Sequence, residues 1–315
     1  MKPDSAVIYF TVSSGAGYGI IFSLLIFLIN NKIDIDTNIK LITACMSFFL
    51  ITSGLISSTL HLGHPKRAWR ALSQWKSSWL SREGVSAIVT YLPITLFFIF
   101  WIFTENQNIS ILFLIIASIC SLITVYCTAK IYSSIKAVPA WHNPLVPLIY
   151  ILNSIILGSI MTYTLLFFYE IKNIFLTNSL IIFSIIALFV KLLYWHSIKK
   201  KSKSNISTAI GLGNKETTSF FEGPHTGKNF LTSEMINSIN IPKSFLLRIT
   251  FCIFTYITPS YYIFKQDGLV MNNDIILITL IIISIFASIG MLIERYLFFI
   301  ESKHTVSLYY GERSL

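Results

Sequence analysis

Charge is what this sequence has least of. Asp, Glu, Lys and Arg make up 12% of its 315 residues, against 54% hydrophobic residues and a mean hydropathy of +0.69. Soluble domains carry roughly 25% charged residues, and half that share cannot cover a water-soluble globule. Cysteine is also scarce. Cys45, Cys120, Cys127 and Cys252 all lie in apolar blocks, and none forms a C-x-x-C pair. A disulfide framework and a thiolate metal site are therefore not expected. No fixed-period repeat is visible. The net charge of +10 does not indicate a nucleic-acid partner, because in a polypeptide solvated by lipid an excess of Lys and Arg reports orientation.

Long apolar runs are abundant. A helix crossing ~30 Å of hydrocarbon needs about 20 mostly apolar residues. Eight stretches qualify, at about 7–29, 39–62, 85–103, 109–131, 146–169, 179–197, 245–264 and 274–298. The expected fold is an all-α integral membrane protein, a single anchor domain over 1–315 with eight transmembrane helices in a bundle. The first run does not look like a cleaved signal peptide, because too weak a basic stretch precedes it. Pro259 should kink the seventh, with a neighbouring helix satisfying the freed carbonyl.

With eight crossings, both termini and the loops at 63–84, 130–145 and 198–244 share one side. That side holds 17 Lys and Arg; the other holds four, Lys32, Lys40, Lys172 and Lys265. Such a bias places the termini and the long loops in the cytoplasm. Lys191, Arg248 and Arg295 remain inside the spans, near their cytoplasmic ends. Snorkelling to the headgroups is the expectation for Lys191 and Arg248. Glu294 is too short to snorkel and should point into the bundle, as intramembrane carboxylates usually do, with Arg295 as a candidate charge partner.

All six histidines fall on or next to the same side. No helix offers a mid-membrane histidine and no C-x-x-C-H site exists, so haem is not expected. The densest polar segment is His61–Glu83, HLGHPKRAWRALSQWKSSWLSRE. At 100° per residue, Trp69, Leu72, Trp75, Trp79 and Leu80 gather on one half of a helix. Lys66, Arg67, Arg70 and Gln74 gather on the other. This is the pattern of an amphipathic helix lying in the interface plane between helices 2 and 3. It would hold His61 and Glu83 at opposite ends and similar depth. A histidine, a carboxylate and Arg67 or Arg82 beside an apolar slot suit quinol binding, which needs polar groups at the ring oxygens and a base titrating near neutrality. The residues alone favour a simpler reading, a basic linker on anionic headgroups. His64 reads as a helix-end residue.

The loop 198–244 opens with Lys199, Lys200, Lys201 and Lys203 and continues KETTSFFEGPHTGKNFLTSEM. Its G-P-H-T-G-K has three residues between the glycines and Asn229 after the lysine, so it is not a phosphate loop. Phe221, His225 and Lys228 suit a partner-docking surface, or a plain exposed loop.

Two blocks carry a resemblance. His61-Leu62-Gly63-His64-Pro65-Lys66-Arg67-Ala68, followed by Ser78-Trp79-Leu80-Ser81-Arg82-Glu83, resembles the membrane anchor subunit of the dimethyl sulfoxide reductase family (DmsC). So does KIYSSIKAVPAWHNP, Lys130–Pro144, and eight spans fit that family over essentially the whole sequence. Gly84 stands where a larger apolar residue is expected. The resemblance implies an anchor that holds an iron–sulfur subunit and a molybdopterin catalytic subunit at a bacterial inner (plasma) membrane. It implies electron exchange with menaquinone or ubiquinone, with iron–sulfur clusters and molybdopterin confined to the partner subunits. It maps the family's quinol-site histidine and glutamate onto His61 and Glu83; Arg67 or Arg82 would steady the carboxylate.

Well-known reductases of the family face the periplasm, whereas the charge bias here points to the cytoplasm. The loop FFEGPHTGKNFLTSEM is similar to anchors of the cytoplasm-facing sulfite-dehydrogenating branch, which donates electrons to quinone. Two other classes compete. A transporter would carry polar groups at the midplane, where this sequence has chiefly apolar side chains with some Ser and Thr and Asn153. A passive anchor would tolerate any residue at position 61.

Overall fold

The computed structural model describes residues 4–30, 35–60, 62–104, 106–201, 205–212, 218, 241–265 and 272–310. The regular elements are all helical, with no strand among the described residues. The long helices are α1 (Ser5–Asn30), α2 (Thr37–Leu60), α3 (Trp79–Phe103), α4 (Gln107–Ser133), α5 (Leu145–Phe168) and α6 (Ile174–Lys201). After a one-turn α7 (Ile206–Ala209) come α8 (Ile241–Cys252), α9 (Thr258–Lys265) and the long α10 (Asn273–Ile300). Seven of these, α1 to α6 and α10, are long and apolar enough to cross a membrane.

The seventh apolar block differs from the expected single kinked span. It is built from α8 and α9 joined by a π-helical turn, Ile253–Ile257. The proline ring of Pro259 would press on the carbonyl four residues earlier, at Thr255. A widened turn there relieves that crowding, a common reason for a π-bulge inside a helix.

α5 and α1 form the centre, with 78% and 67% of their apolar windows buried against 33–39% in the other five. Small residues allow this. Ser13-Ser-Gly-Ala-Gly-Tyr-Gly19 gives α1 a face so slight that a Cβ on Gly19 would overlap the Ser154 carbonyl of α5. A Cβ on Gly158 would overlap the backbone of Gly19 in turn. Such close approach is how helices associate in lipid, where burying apolar surface gives no advantage. Hydroxyls seal the contact: Ser154 Oγ donates to Gly15 O at 2.5 Å and Ser23 and Ser159 meet at 2.9 Å, while Ser13 Oγ ties α1 to α2 by donating to Leu50 O at 2.8 Å. Outward-facing Phe49, Leu92, Phe103 and Phe189 are each more than 60% exposed, a surface suited to acyl chains and not to water.

One end of the bundle is tied together by long-range bonds. Trp141 Nε1 donates to Phe298 O at 3.0 Å, Asn143 Nδ2 to Ser197 Oγ at 2.7 Å, Thr305 N to Ala137 O at 2.9 Å, and Tyr309 OH to Ala209 O at 2.9 Å. The 134–144 loop therefore clamps the ends of α6 and α10, and Tyr132, Trp141, Tyr150, Phe298 and Phe299 pack their rings beneath it. The K-I-Y…W-H-N-P block is structural.

At the same end lies the link from α2 to α3. Residues Pro65–Gln74 form a 3-10 helix, not the α-helix assumed for the amphipathic wheel. With about three residues per turn, i and i+3 eclipse, so Trp69, Leu72 and Trp75 line up along one edge. Trp69 and Trp75 are exposed, while Leu72 rests on Gly84, where a Cβ would come within 3.1 Å of it. The small residue at position 84 thus seats the linker.

Candidate functional site

Glu83 lies in the first turns of α3, whose amino end Ser78 caps by accepting from Ser81 N at 3.5 Å. Glu83, Ala87 and Thr90 recur at helical spacing on the buried side of α3. That stripe faces α4. Thr128 Oγ1 donates to Glu83 Oε1 at 2.5 Å, and Thr90 meets Thr124 at 3.0 Å. Glu83 is 4% exposed. A carboxylate so enclosed is costly unless it is hydrogen-bonded and near compensating charge.

Thr128 has one hydroxyl proton and two acceptors in reach, Glu83 Oε1 and, at 3.1 Å, the Thr124 carbonyl. With Glu83 ionised, the proton points at the carboxylate. With Glu83 protonated, the acid can donate to Oγ1 and Thr128 can turn to the carbonyl. The pair can therefore hold a proton or release it without leaving a polar atom bare.

The two arginines expected beside Glu83 are elsewhere. Arg82, one residue away and so about 100° round the helix, lies over the Trp79 ring at 4.3 Å. It donates to the carbonyls of Trp75 and Lys76 at 3.0 and 2.7 Å, closing off the end of the linker. Arg67 is exposed on the 3-10 helix. Lys130 shares the Trp79 ring at 5.5 Å. His61, and the docking candidates Phe221, His225 and Lys228, lie outside the described residues. His64 is exposed.

A second polar centre lies deeper. Glu294 is fully buried and points inward as expected, with Arg295 Nε at 2.7 Å from its Oε2. Its other partner is Lys191, whose Nζ donates to Glu294 Oε1. Lys191 does not snorkel; it is 2% exposed and surrounded by the rings of Tyr194, Trp195 and Phe251. The reason is supply: a carboxylate one helix away competes with headgroups for the ammonium. Arg295 lies 3.6 Å over the Tyr150 ring. Arg248 stays nearer the rim, bonded to Glu301 at 2.8 Å and stacked on Trp195. Thr128, Lys191, Tyr150 and Asn153 are the site residues that sequence reasoning left unassigned. For Lys191 the signal was present, a base and an acid at matching depths of two different spans. Among the described residues no three His, Cys, Asp or Glu side chains gather to hold a metal ion.

A bundle of long apolar helices, with a buried carboxylate near one end and loops clamped together there, defines a polytopic membrane protein. The model of the DMSO reductase anchor subunit family (DmsC) matches residues 1–311, and the protein belongs to that family. It is a multi-pass membrane anchor subunit. It is similar to the C subunit of the sulfite dehydrogenase of Allochromatium vinosum, 28% identical over 338 aligned residues that span 98% of this sequence and 99% of that one. It is also similar to the C polypeptide of the anaerobic dimethyl sulfoxide reductase of Escherichia coli K12, 30% identical over 131 residues, 40% of this sequence and 45% of that one.

Proposed function

We propose that the protein is the quinone-reactive anchor of a molybdopterin oxidoreductase complex, passing electrons between the quinone pool and a docked iron–sulfur subunit. The observation that carries this is Glu83. It is an enclosed carboxylate with a hydroxyl partner that accommodates both of its protonation states, at the depth where the linker meets α3 and α4. Oxidation of a quinol releases two electrons and two protons. Glu83 takes one proton, and His61 hydrogen-bonds a ring oxygen and relays the other. The electrons leave for the iron–sulfur subunit, and the terminal chemistry takes place on the molybdopterin subunit. Arg82 contributes by fixing the linker against α3, not by pairing with Glu83.

In this reading the α8–π–α9 segment is the eighth crossing. Its 25 residues, 241–265, would span about 37 Å if helical throughout. An eighth crossing also agrees with the contacts that bring the ends of α6 and α10 to the 134–144 loop. The bias of 17 basic residues to four then puts this end and both termini in the cytoplasm of an inner membrane. Trp69 and Trp75 of the 3-10 linker lie in the headgroup region. The partner subunits dock on that face, with Phe221, His225 and Lys228 in the docking loop. Alignment along nearly the full length of both proteins favours the sulfite dehydrogenase kind of complex, in which the same steps run in reverse: two electrons come from the iron–sulfur subunit to quinone, and Glu83 and His61 deliver the two protons.

The test is Glu83→Gln in the assembled complex. Loss of a proton-relaying group lowers rates by ~10²–10⁴, so quinone-coupled turnover should fall by that order while artificial-dye turnover at the catalytic subunit is retained. Full quinone-coupled activity in assembled Glu83→Gln complex refutes the site.

A further inference from the structure

We infer that Arg295 is the counter-ion of Glu83, acting across a hydrated cavity in the middle of the bundle, and so is a positioning residue for the proton chemistry of that carboxylate. This deepens the quinone reading and rests on it.

The first support is a charge count. Among the described residues the buried charged side chains are Glu83, Lys191, Glu294 and Arg295. The cluster on α6 and α10 holds two cations against one carboxylate, and an unbalanced charge inside a membrane bundle is expensive. Glu83 as carboxylate brings the interior to neutrality. Among the described residues the cations on the linker side are engaged elsewhere: Arg82 donates to backbone carbonyls and shares the Trp79 ring with Lys130, and Lys66, Arg67 and Arg70 of the linker are exposed.

The second is a physical path between the two centres. A cavity of about 20 Å³ is bounded by Thr128, the partner of Glu83, and by Tyr150 and Arg295 of the other centre, with Ser14, Asn153 and Ser154 completing its polar wall. That volume accommodates one water. Two buried donors, Arg295 Nη1 and Asn153 Nδ2, have no hydrogen-bond partner among the protein atoms, and the Tyr150 hydroxyl faces the Arg295 guanidinium. The amide of Asn153 is oriented by Tyr256 OH, which donates to its Oδ1 at 2.6 Å. A water there accepts from Arg295 or Asn153 and donates to Thr128 Oγ1, whose own proton is turned to Glu83. Where the water accepts from Arg295, the cation is coupled to the carboxylate through three hydrogen bonds: guanidinium to water, water to Thr128 and Thr128 to Glu83. Among the described residues the other titratable groups around Glu83 are Tyr18 on α1, Cys127 and Tyr132 on α4, and Tyr150 on α5, with Arg82 also acting on Cys127. A phenol or a thiol carries no positive charge in either protonation state, so none of these replaces Arg295 as a cation.

The experiment compares Arg295→Gln, Arg295→Lys and Lys191→Met in the intact complex. Turnover in the quinol-oxidising direction, which needs Glu83 as carboxylate, is measured against pH, and infrared spectra are recorded with ¹³C-labelled glutamate. Arg295→Gln should move the acid limb of the profile to higher pH by about one unit, a tenfold loss at a fixed pH on that limb. It should also increase the protonated-carboxyl band at that pH. Arg295→Lys should restore most of both, and Lys191→Met, which removes a more distant cation, should shift the profile less. On a Glu83→Gln background, Arg295→Gln should produce neither the shift nor the added band. An unchanged profile and spectrum in assembled Arg295→Gln complex overturns the inference and leaves the quinone site standing. A fully active Glu83→Gln complex overturns the quinone site, while the infrared band still decides the counter-ion. If Arg295→Gln does not assemble, Arg295→Met is read in its place with the same two readouts, and a profile and spectrum matching wild type there overturn the inference.

Discussion

Removing Glu294 should do more harm than removing either of its partners. The carboxylate separates two cations, with Lys191 Nζ on Oε1 and Arg295 Nε 2.7 Å from Oε2, and all three side chains are at most 4% exposed. Glu294→Leu leaves the two cations a carboxylate's breadth apart, on the order of 5–6 Å. At an effective dielectric of about 20, unit charges at that distance repel by roughly 3 kcal/mol. Breaking a buried pair by deleting one member costs about 3–5 kcal/mol in measured cases. Both estimates point to a loss of several kcal/mol, which for a protein of this size is a fall on the order of 10 °C in Tm. Lys191→Met leaves Glu294 with Arg295 and should cost less. The double variant Glu294→Leu/Lys191→Met should be more stable than Glu294→Leu alone, a coupling opposite in sign to two independent losses. Thermal unfolding of the detergent-purified complex followed by tryptophan fluorescence measures this. A Glu294→Leu protein melting within 2 °C of wild type, on the scale of roughly 2–4 °C per kcal/mol, would refute the electrostatic account of the cluster.

Other outcomes follow from the packing. Gly19→Leu or Gly158→Leu should abolish accumulation of folded protein, because each puts side-chain atoms into the backbone of the opposite helix; recovery of monodisperse protein in detergent checks it. Trp141→Phe removes the indole donor to Phe298 O, and should cost about 1 kcal/mol plus the unpaired carbonyl, read as a small drop in Tm. His304, beyond the end of α10, accepts from Val306 N at 3.0 Å through Nδ1, and partial burial holds its pKa below the usual histidine value. A depressed histidine pKa means the unfolded form binds more protons, so the stabilisation is complete above about pH 6.5 and declines as pH falls through the folded value. Amide exchange at Val306 and Thr305 should accelerate on acidification; exchange no faster at pH 5 than at pH 7.5, after correction for intrinsic rates, contradicts this.

The crossings were legible because 20-residue apolar runs have few other fates, and seven of them form long helices. The seventh block was legible as irregular through Pro259, but a local proline rule names a kink and not the π-turn that absorbs it. The linker's helix type was not legible: Trp69, Leu72 and Trp75 lie on one side of either a 100° or a 120° wheel. Glu83 stood out by residue type and position, yet its partner Thr128 is 45 residues away and looks like any hydroxyl in an apolar run. Arg82 misled because it is adjacent in sequence, and adjacent helical residues diverge. Lys191 misled because depth in a bilayer is readable from sequence but the direction a side chain faces is not. Glu294 is legible as an inward-facing residue because a short acid has no route to the headgroups.

The order in which the charges enter the bilayer has its own consequence. Lys191 arrives with α6, and the acid that neutralises it arrives with α10, the last long helix. Until then the growing polypeptide holds a bare ammonium among acyl chains, and any product stopped short of that helix keeps it. Completion of the bundle is therefore registered at one atom, and quality control needs only to recognise a helix that still slides toward water.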